Sequence, residues 1–412
     1  NRLCPAHDGT GQQSRYRRLS MGQYALITGS YWAFTLTDGA LRMLVVLHFH
    51  TLGYSPMDIA LLFLFYELFG VVTNLFGGWL AARTGLAVTV IGGLFLQVIA
   101  LSMLLVDASY LSVSYVMVAQ AFSGIAKDLN KMGAKSSVKL VAGSNQSRLY
   151  RWVAWLTGSK NALKGVGFFV GGAGLASIGF SASIAAMAMA IGLVGILALL
   201  LLDRNMGKAS FQPKFSDLLS KSRRINQLSA ARLFLFGSRD VWFVVALPVF
   251  LQLELGWSSV SVGTFLALWI IGYGFIQAMA PSITPRLDGR VPDGRTALLW
   301  GLTLALVPLG IAACLQLGFD PAAVVVIGLA LFALVFAMNS AVHSFLVVSY
   351  ADADGVSLDV GFYYMANAAG RLLGTVCSGW MYQSYGLVAC LGLSAVFVVS
   401  VALVSSKLPR HS

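Results

Sequence analysis

The feature that most constrains this chain is a succession of long, continuous apolar runs. Read against the glycine, proline and charge punctuation between them, they form twelve segments: 22–50, 57–82, 87–106, 110–130, 152–176, 182–202, 230–253, 260–280, 297–317, 322–350, 359–382 and 387–405. A helix needs about 20 apolar residues to cross a hydrocarbon core of roughly 30 Å, so each segment is long enough or nearly so. Inside a bilayer no water satisfies backbone groups, and only helices or closed barrels span it. Barrel strands would read as short alternating stretches, whereas 241–253 and 322–348 are unbroken. With 58% hydrophobic and only 11% charged residues in 412, a soluble enzyme is excluded and an all-α polytopic membrane protein is expected.

A formal charge of +12 would point a soluble chain toward nucleic acid. In a membrane protein the location of the charge matters more than its sum. With the N-terminus inside, the outer connections near 51–56, 107–109, 179–181, 255–258, 318–321 and 383–386 hold no Lys or Arg. The inner connections hold the cations, among them Arg83, Lys131, Arg148, Arg204, Lys214, Arg224 and Arg295. This bias predicts a multi-pass protein of the inner (cytoplasmic) membrane with both termini cytoplasmic, a lipid bilayer around it and no nucleic-acid partner. Cys4, Cys314, Cys377 and Cys390 show no close spacing, so they read as apolar filler, with no metal site and no cofactor expected.

The longest polar stretch, 203–229, is basic and falls mid-chain. It divides the chain into a cytoplasmic tail (1–21), a first six-helix half (22–202), the linker, a second six-helix half (230–405) and a cytoplasmic tail (406–412). The halves repeat: an offset of 203 puts Leu52-Gly53-Tyr54-Ser55 on Leu255-Gly256-Trp257-Ser258, Tyr66 on Trp269 and Arg83 on Arg286. An offset of 207 puts Lys164 on Arg371, Gly167 on Gly374 and Gly172 on Gly379. Two such repeats are the architecture of the major facilitator superfamily, whose substrate site lies at the midplane between them. Gly78-Trp79-Leu80-Ala81-Ala82-Arg83-Thr84-Gly85 resembles that superfamily's GxLaDRxG loop, with Ala82 where an Asp is usual. Gly78 permits close helix approach. Arg83, with Gly85 and the repeat-related Arg286, reads as a gating loop in which an arginine holds a helix end or a carboxylate.

Ionisable groups inside spans cost several kcal/mol unless they face a cavity or find partners. Here they comprise Asp38 and Arg42 in the first span, Glu67 in the second, Lys127 and Asp128 in the fourth, Lys160 and Lys164 in the fifth, Arg239 and Asp240 in the seventh, and Arg371 in the eleventh. The superfamily resemblance implies that the first, fourth, seventh and tenth spans, with the fifth and eleventh, line the central cavity, so that Arg42, Lys164, Arg239 and Arg371 converge from both halves. Arginine forks and lysine point charges suit an anion with several oxygens. Lys127, Lys160 and Asn161 complete the expected substrate-binding set. Asp38 with Arg42, and Arg239 with Asp240, also read as internally neutralised pairs, which leaves Lys160, Lys164 and Arg371 without an acid inside one turn. Asp38, Glu67 and Asp240 are the expected proton carriers, Asp38 first. Lys135 and Lys139 are expected to be solvated or to face lipid headgroups. His48, His50 and His343 are read as packing groups, and the run Gly165, Gly167, Gly171, Gly172 and Gly174 as a close-packing face.

Three stretches resemble one narrower group, the ArsJ-type organoarsenical efflux permeases: Tyr31-Trp32-Ala33-Phe34-Thr35-Leu36-Thr37-Asp38-Gly39-Ala40-Leu41-Arg42-Met43-Leu44, Gly124-Ile125-Ala126-Lys127-Asp128-Leu129-Asn130-Lys131 and Leu156-Thr157-Gly158-Ser159-Lys160-Asn161-Ala162-Leu163-Lys164-Gly165. The resemblance implies efflux of 1-arseno-3-phosphoglycerate, the ester formed when glyceraldehyde-3-phosphate dehydrogenase uses arsenate in place of phosphate. That enzyme would then be a functional partner and arsenate resistance the outcome. Pentavalent arsenic in an ester calls for cations and hydrogen bonds, not thiolates, which suits the scattered cysteines. The alternatives are carriage of another organophosphate or phosphate anion, or a non-transporting receptor or scaffold, for which long loops or a soluble domain are missing. No catalytic constellation is present, so no enzyme is expected. A monomer is expected.

Overall fold

The computed structural model describes residues 20–54, 62–143, 145–219, 222–288 and 291–410. Side chains at 50, 259–260 and 285–288 lie outside that description, and with them the predicted gating residue Arg286. Helices account for all the regular structure of the described residues: α1 Met21–Thr51, α2 Leu64–Thr84, α3 Leu86–Met103, α4 Val113–Ala142, α5 Gln146–Ile178, α6 Phe180–Leu201, α7 Arg223–Leu253, α8 Ser259–Asp288, α9 Gly294–Gln316 and α10 Pro321–Tyr350, then α11 (356–385) and α12 (387–405). The last two run on from each other, divided at Gly386, whose φ of 78° and ψ of −175° only glycine adopts without strain. The twelve spans form two pseudo-symmetric six-helix halves, as the repeat predicts.

Three of these helices, α1, α4 and α5, are too polar to pass as membrane spans on length and apolarity alone. They carry Asp38 and Arg42, the lysines from 127 to 139, and Lys160 and Lys164. Several of their charges find partners on neighbouring helices, as Asp38 does with Lys164 and Arg42 with Glu67, so polarity here marks inward-facing surface. The same fact corrects two boundaries. The fourth span, expected to end at 130, runs to Ala142, and the fifth, expected from 152, begins at Gln146. Asn145 caps α5 by accepting the Arg148 amide at 2.8 Å. α7 is interrupted at Val244 and Val245 because Pro248 has no amide hydrogen and its ring clashes with the carbonyl four residues back. The amide of Ala246, freed by the break, donates to Ser378 Oγ of α11 at 3.1 Å.

The apolar core divides along the bundle. At the end that bears the linker, one continuous core joins both halves, running from Tyr24, Ile27 and Tyr31 of α1 to Phe345, Val348 and Tyr363. At the other end are two separate cores, one within α1–α6 around Leu44, Phe49 and Ile184, the other within α7–α12 around Trp242, Trp269 and Phe332. Polar contacts follow the same division. Tyr150 and Thr284 hydroxyls meet at 3.0 Å, Ser349 donates to Gln146 at 2.9 Å, and Lys139 Nζ donates to the carbonyls of Val348 and Ser349 at 2.7 and 3.0 Å. The halves are therefore joined at the linker end by a shared core and by these polar contacts.

Candidate functional site

Helix crossings through small residues bring the membrane charges together. A Cβ on Gly39 would strike the Lys164 carbonyl, and one on Gly167 would lie 3.0 Å from Gly39 Cα. α1 and α5 thus touch backbone to backbone, which sets Asp38 Oδ2 3.2 Å from Lys164 Nζ. Gly124 of α4 abuts the Tyr66 backbone of α2, so Lys127, one turn on, lies 3.8 Å over the Tyr66 ring. The Tyr66 hydroxyl donates to Asp38 Oδ1 at 2.6 Å. In the other half, Gly370 abuts Leu233 and Gly374 abuts Gly237, so Arg371 Nε reaches Asp240 Oδ2 at 3.0 Å.

Asp38 with Lys164 and Asp240 with Arg371 are one arrangement used twice, because α1 corresponds to α7 and α5 to α11. A buried carboxylate holds a cation from the fifth helix of its own half. Arg239 donates to Asp240 Oδ1 from Nε at 2.6 Å, with Nη2 2.5 Å from the same oxygen, which makes that pair internally neutralised. Asp38 and Arg42, by contrast, are not an ion pair. Arg42 Nη2 lies 3.4 Å from Glu67 Oε1 and its guanidinium stacks over Phe63 and Tyr66 at 4.8 and 5.1 Å. The same Glu67 oxygen accepts from Arg371 Nη2 at 2.9 Å. In α4, Lys131 takes Asp128 at 2.6 Å and lies 4.8 Å from the Tyr364 ring of α11.

Seven cations, Arg42, Lys127, Lys131, Lys160, Lys164, Arg239 and Arg371, thus stand against four carboxylates, Asp38, Glu67, Asp128 and Asp240. Lys160 is paired with none of these acids and donates to Asn161 Oδ1 at 3.2 Å. This orients the Asn161 amide to donate to Gln277 Oε1 of α8 at 2.7 Å, and Gln277 donates in turn to Ser340 Oγ of α10 at 3.1 Å. An apolar groove of about 570 Å³ between α9 and α10 lies on the lipid side, among residues such as Leu306 and Ile327, and holds none of these groups.

The sequence profile of the Major Facilitator Superfamily matches residues 27–292. The chain belongs to that superfamily. Among solved structures it resembles a bacterial homologue of the iron transporter ferroportin in its outward-facing state, with a TM-score of 0.73 and 14% identity over 93% of this chain and 98% of that one. The E. coli fucose:proton symporter FucP matches with a TM-score of 0.70 and 12% identity over 94% and 98% of the two chains. The human organic anion transporter MFSD10 matches at 0.70 and 14% over 93% and 99%. At these identities the likeness shows the fold alone. No curated protein matches in sequence. The superfamily consists of transporters, in keeping with a membrane transport protein that is not an enzyme.

The superfamily loop has a different chemistry here from the one expected. Gly78 does allow the predicted close approach, since a Cβ there would strike the Ser357 carbonyl and lie 2.9 Å from Gly361 Cα of α11. Gly85 turns the chain with a φ of 103°. Arg83, however, pairs with no carboxylate among the described residues; it is exposed and stacks on Trp79 at 5.2 Å, while Trp79 donates to the Pro213 carbonyl of the linker at 3.1 Å. With Ala82 in the acidic position, the loop is tied by aromatic packing. Lys135 and Lys139 also depart from expectation. Lys135 is 2% exposed and bonds the Thr157 hydroxyl, so it does not face solvent or headgroups, and Lys139, half-buried, binds carbonyls at the end of α10.

Sequence reasoning missed Arg232. It is 2% exposed, donates to Asn367 Oδ1 at 2.8 Å and Ser340 Oγ at 3.2 Å, and lies 4.0 Å over the Phe236 ring. Its seven-residue spacing from Arg239, two helical turns, places both on one face of α7 and is the signal that identifies it. His48 stacks on Phe180 at 4.0 Å, as a packing group would.

Proposed function

We propose that this chain exports a small organic anion of two or more charges by alternating access, and that the cargo is 1-arseno-3-phosphoglycerate. The observation that carries the reading is the excess of three cations over carboxylates between the halves, with Lys160 lacking an acid. A charge buried without a partner costs several kcal/mol, and a multiply charged oxyanion removes that cost. Lys127, Lys160, Lys164 and Arg42 from the first half and Arg371 from the second grip its anionic ends, with Asn161 as a hydrogen-bond donor. Arg239, held by Asp240 through two nitrogens, contributes position more than free charge. The fold does not select the cargo, since structural neighbours include a homologue of an iron transporter, a fucose symporter and an organic anion transporter. The cargo assignment rests on the three stretches that resemble ArsJ-type permeases.

With the linker end on the cytoplasmic side of the inner membrane, the contacts that join the halves there form the cytoplasmic gate that must open to admit cargo. Glyceraldehyde-3-phosphate dehydrogenase supplies the cargo, and the carrier works as a monomer. Export is coupled to an ion gradient through Asp38, whose partners Lys164 and Tyr66 come from two other helices. The test is uptake into everted membrane vesicles of labelled arsenate, with and without glyceraldehyde-3-phosphate, its dehydrogenase and NAD. Accumulation only with the complete mixture supports the reading. Accumulation of arsenate or phosphate alone sinks the ester assignment and favours a general oxyanion carrier.

A further inference from the structure

Glu67 differs from every other carboxylate of the cluster. Asp38, Asp128 and Asp240 pair with cations of their own halves, whereas one oxygen of Glu67 bridges the halves, 3.4 Å from Arg42 of α1 and 2.9 Å from Arg371 of α11. The difference extends to exposure. Asp38, Asp128 and Asp240 side chains are 6, 1 and 0% exposed, but those of Arg42, Glu67 and Arg371 are 29, 23 and 28% exposed. The first three are fixed within packed helices, and the last three remain accessible to a solute.

We propose that Glu67 is an internal substitute for the cargo: the anionic group of the cargo displaces it from Arg42 and Arg371, and its return neutralises both arginines in the empty carrier. The inference rests on the reading that the cavity carries an anion. Closing the cavity around unpaired guanidiniums costs several kcal/mol, so an empty carrier with no carboxylate between them is trapped until another anion binds. An exporter must return empty, whereas an exchanger returns loaded. Glu67 therefore makes net export possible. The Arg42 contact, at 3.4 Å against 2.9 Å for Arg371, is the longer of the two and opens first.

The test uses purified full-length protein in liposomes enclosing labelled arsenate, glyceraldehyde-3-phosphate, its dehydrogenase and NAD. Label loss is followed into plain buffer for net efflux, or into buffer with the same unlabelled mixture for exchange. Inorganic phosphate on both sides is the second probe. Glu67→Gln keeps the shape and removes the charge. Its net efflux is expected to fall about ten-fold or more, while exchange stays within about two-fold of wild type. The double variant R42Q/E67Q removes one guanidinium along with the carboxylate; its KM rises because Arg42 also grips the cargo, and at saturating cargo its net efflux is expected to exceed that of E67Q several-fold. Net efflux of E67Q within about two-fold of wild type overturns the inference, and so does loss of exchange in parallel with efflux. If E67Q does not fold, E67D, which withdraws the charge by one methylene, reads the same distinction: reduced efflux with exchange retained supports it, and equal loss of both overturns it. A wild-type protein that moves neither probe refutes the anion-transport reading itself, a result separate from these.

Discussion

Replacing Asp240 by Asn tests the charge network most directly. Asp240 is fully buried and holds Arg239 through two nitrogens at 2.6 and 2.5 Å and Arg371 at 3.0 Å. Removing one partner of a buried ion pair costs about 3 to 5 kcal/mol, because the other charge is left without compensation. Arg371 keeps Glu67 at 2.9 Å, and the asparagine carbonyl still accepts one hydrogen bond, so the loss falls mainly on Arg239 and belongs at the low end, about 3 kcal/mol. Arg239→Gln alone leaves Asp240 paired with Arg371 and costs about 1 kcal/mol. In the double variant the orphaned guanidinium is gone, and a total near 2 kcal/mol is expected instead of a sum near 4, a coupling of about 2 kcal/mol. Equilibrium unfolding in mixed SDS–detergent micelles, followed by tryptophan fluorescence, measures all four corners. A D240N cost below about 1 kcal/mol, or additivity within about 0.5 kcal/mol, refutes the argument that this buried carboxylate compensates two guanidiniums.

Lys160→Ala removes a cation that no carboxylate balances, so stability in the same assay should not fall, while the KM for the anionic cargo rises about ten-fold, the worth of one charge-assisted contact. Gly78→Val drives a side chain into the Ser357 carbonyl and pushes α2 from α11; the distance between spin labels on Arg148 and Arg295, exposed at the linker end, should increase. Lys139→Met removes the bonds to the Val348 and Ser349 carbonyls, and amide hydrogen exchange at the end of α10 should quicken with little change in the outer cores. Gly386→Ala forces a Cβ into backbone that glycine alone tolerates, and should lower stability by about 1 to 3 kcal/mol.

The sequence by itself determined the class, the twelve spans, the repeat and the set of charged residues that matter, because hydrophobic run length and residue identity are local properties. It also marked Gly78, Gly167 and Gly171 as places where helices approach. It did not determine which charges pair. The one-turn spacing of Asp38 and Arg42 suggests a pair, yet the α1–α5 crossing at Gly39 gives Asp38 to Lys164, and Arg42 turns to Glu67 of α2. Lys135 and Lys139 look like departures from the membrane when helix ends are read from charge alone, but Lys135 is buried against Thr157 and the half-buried Lys139 is held by carbonyls at the end of α10. Arg83 keeps its signature position while a tryptophan, supplied by its own loop and pinned to the linker, takes the role expected of an acid. Partner choice at these positions belongs to the tertiary structure. Within a helix a side chain reaches only three or four residues away, while a small-residue crossing brings a second helix within hydrogen-bonding distance and lets the strongest available carboxylate contact win.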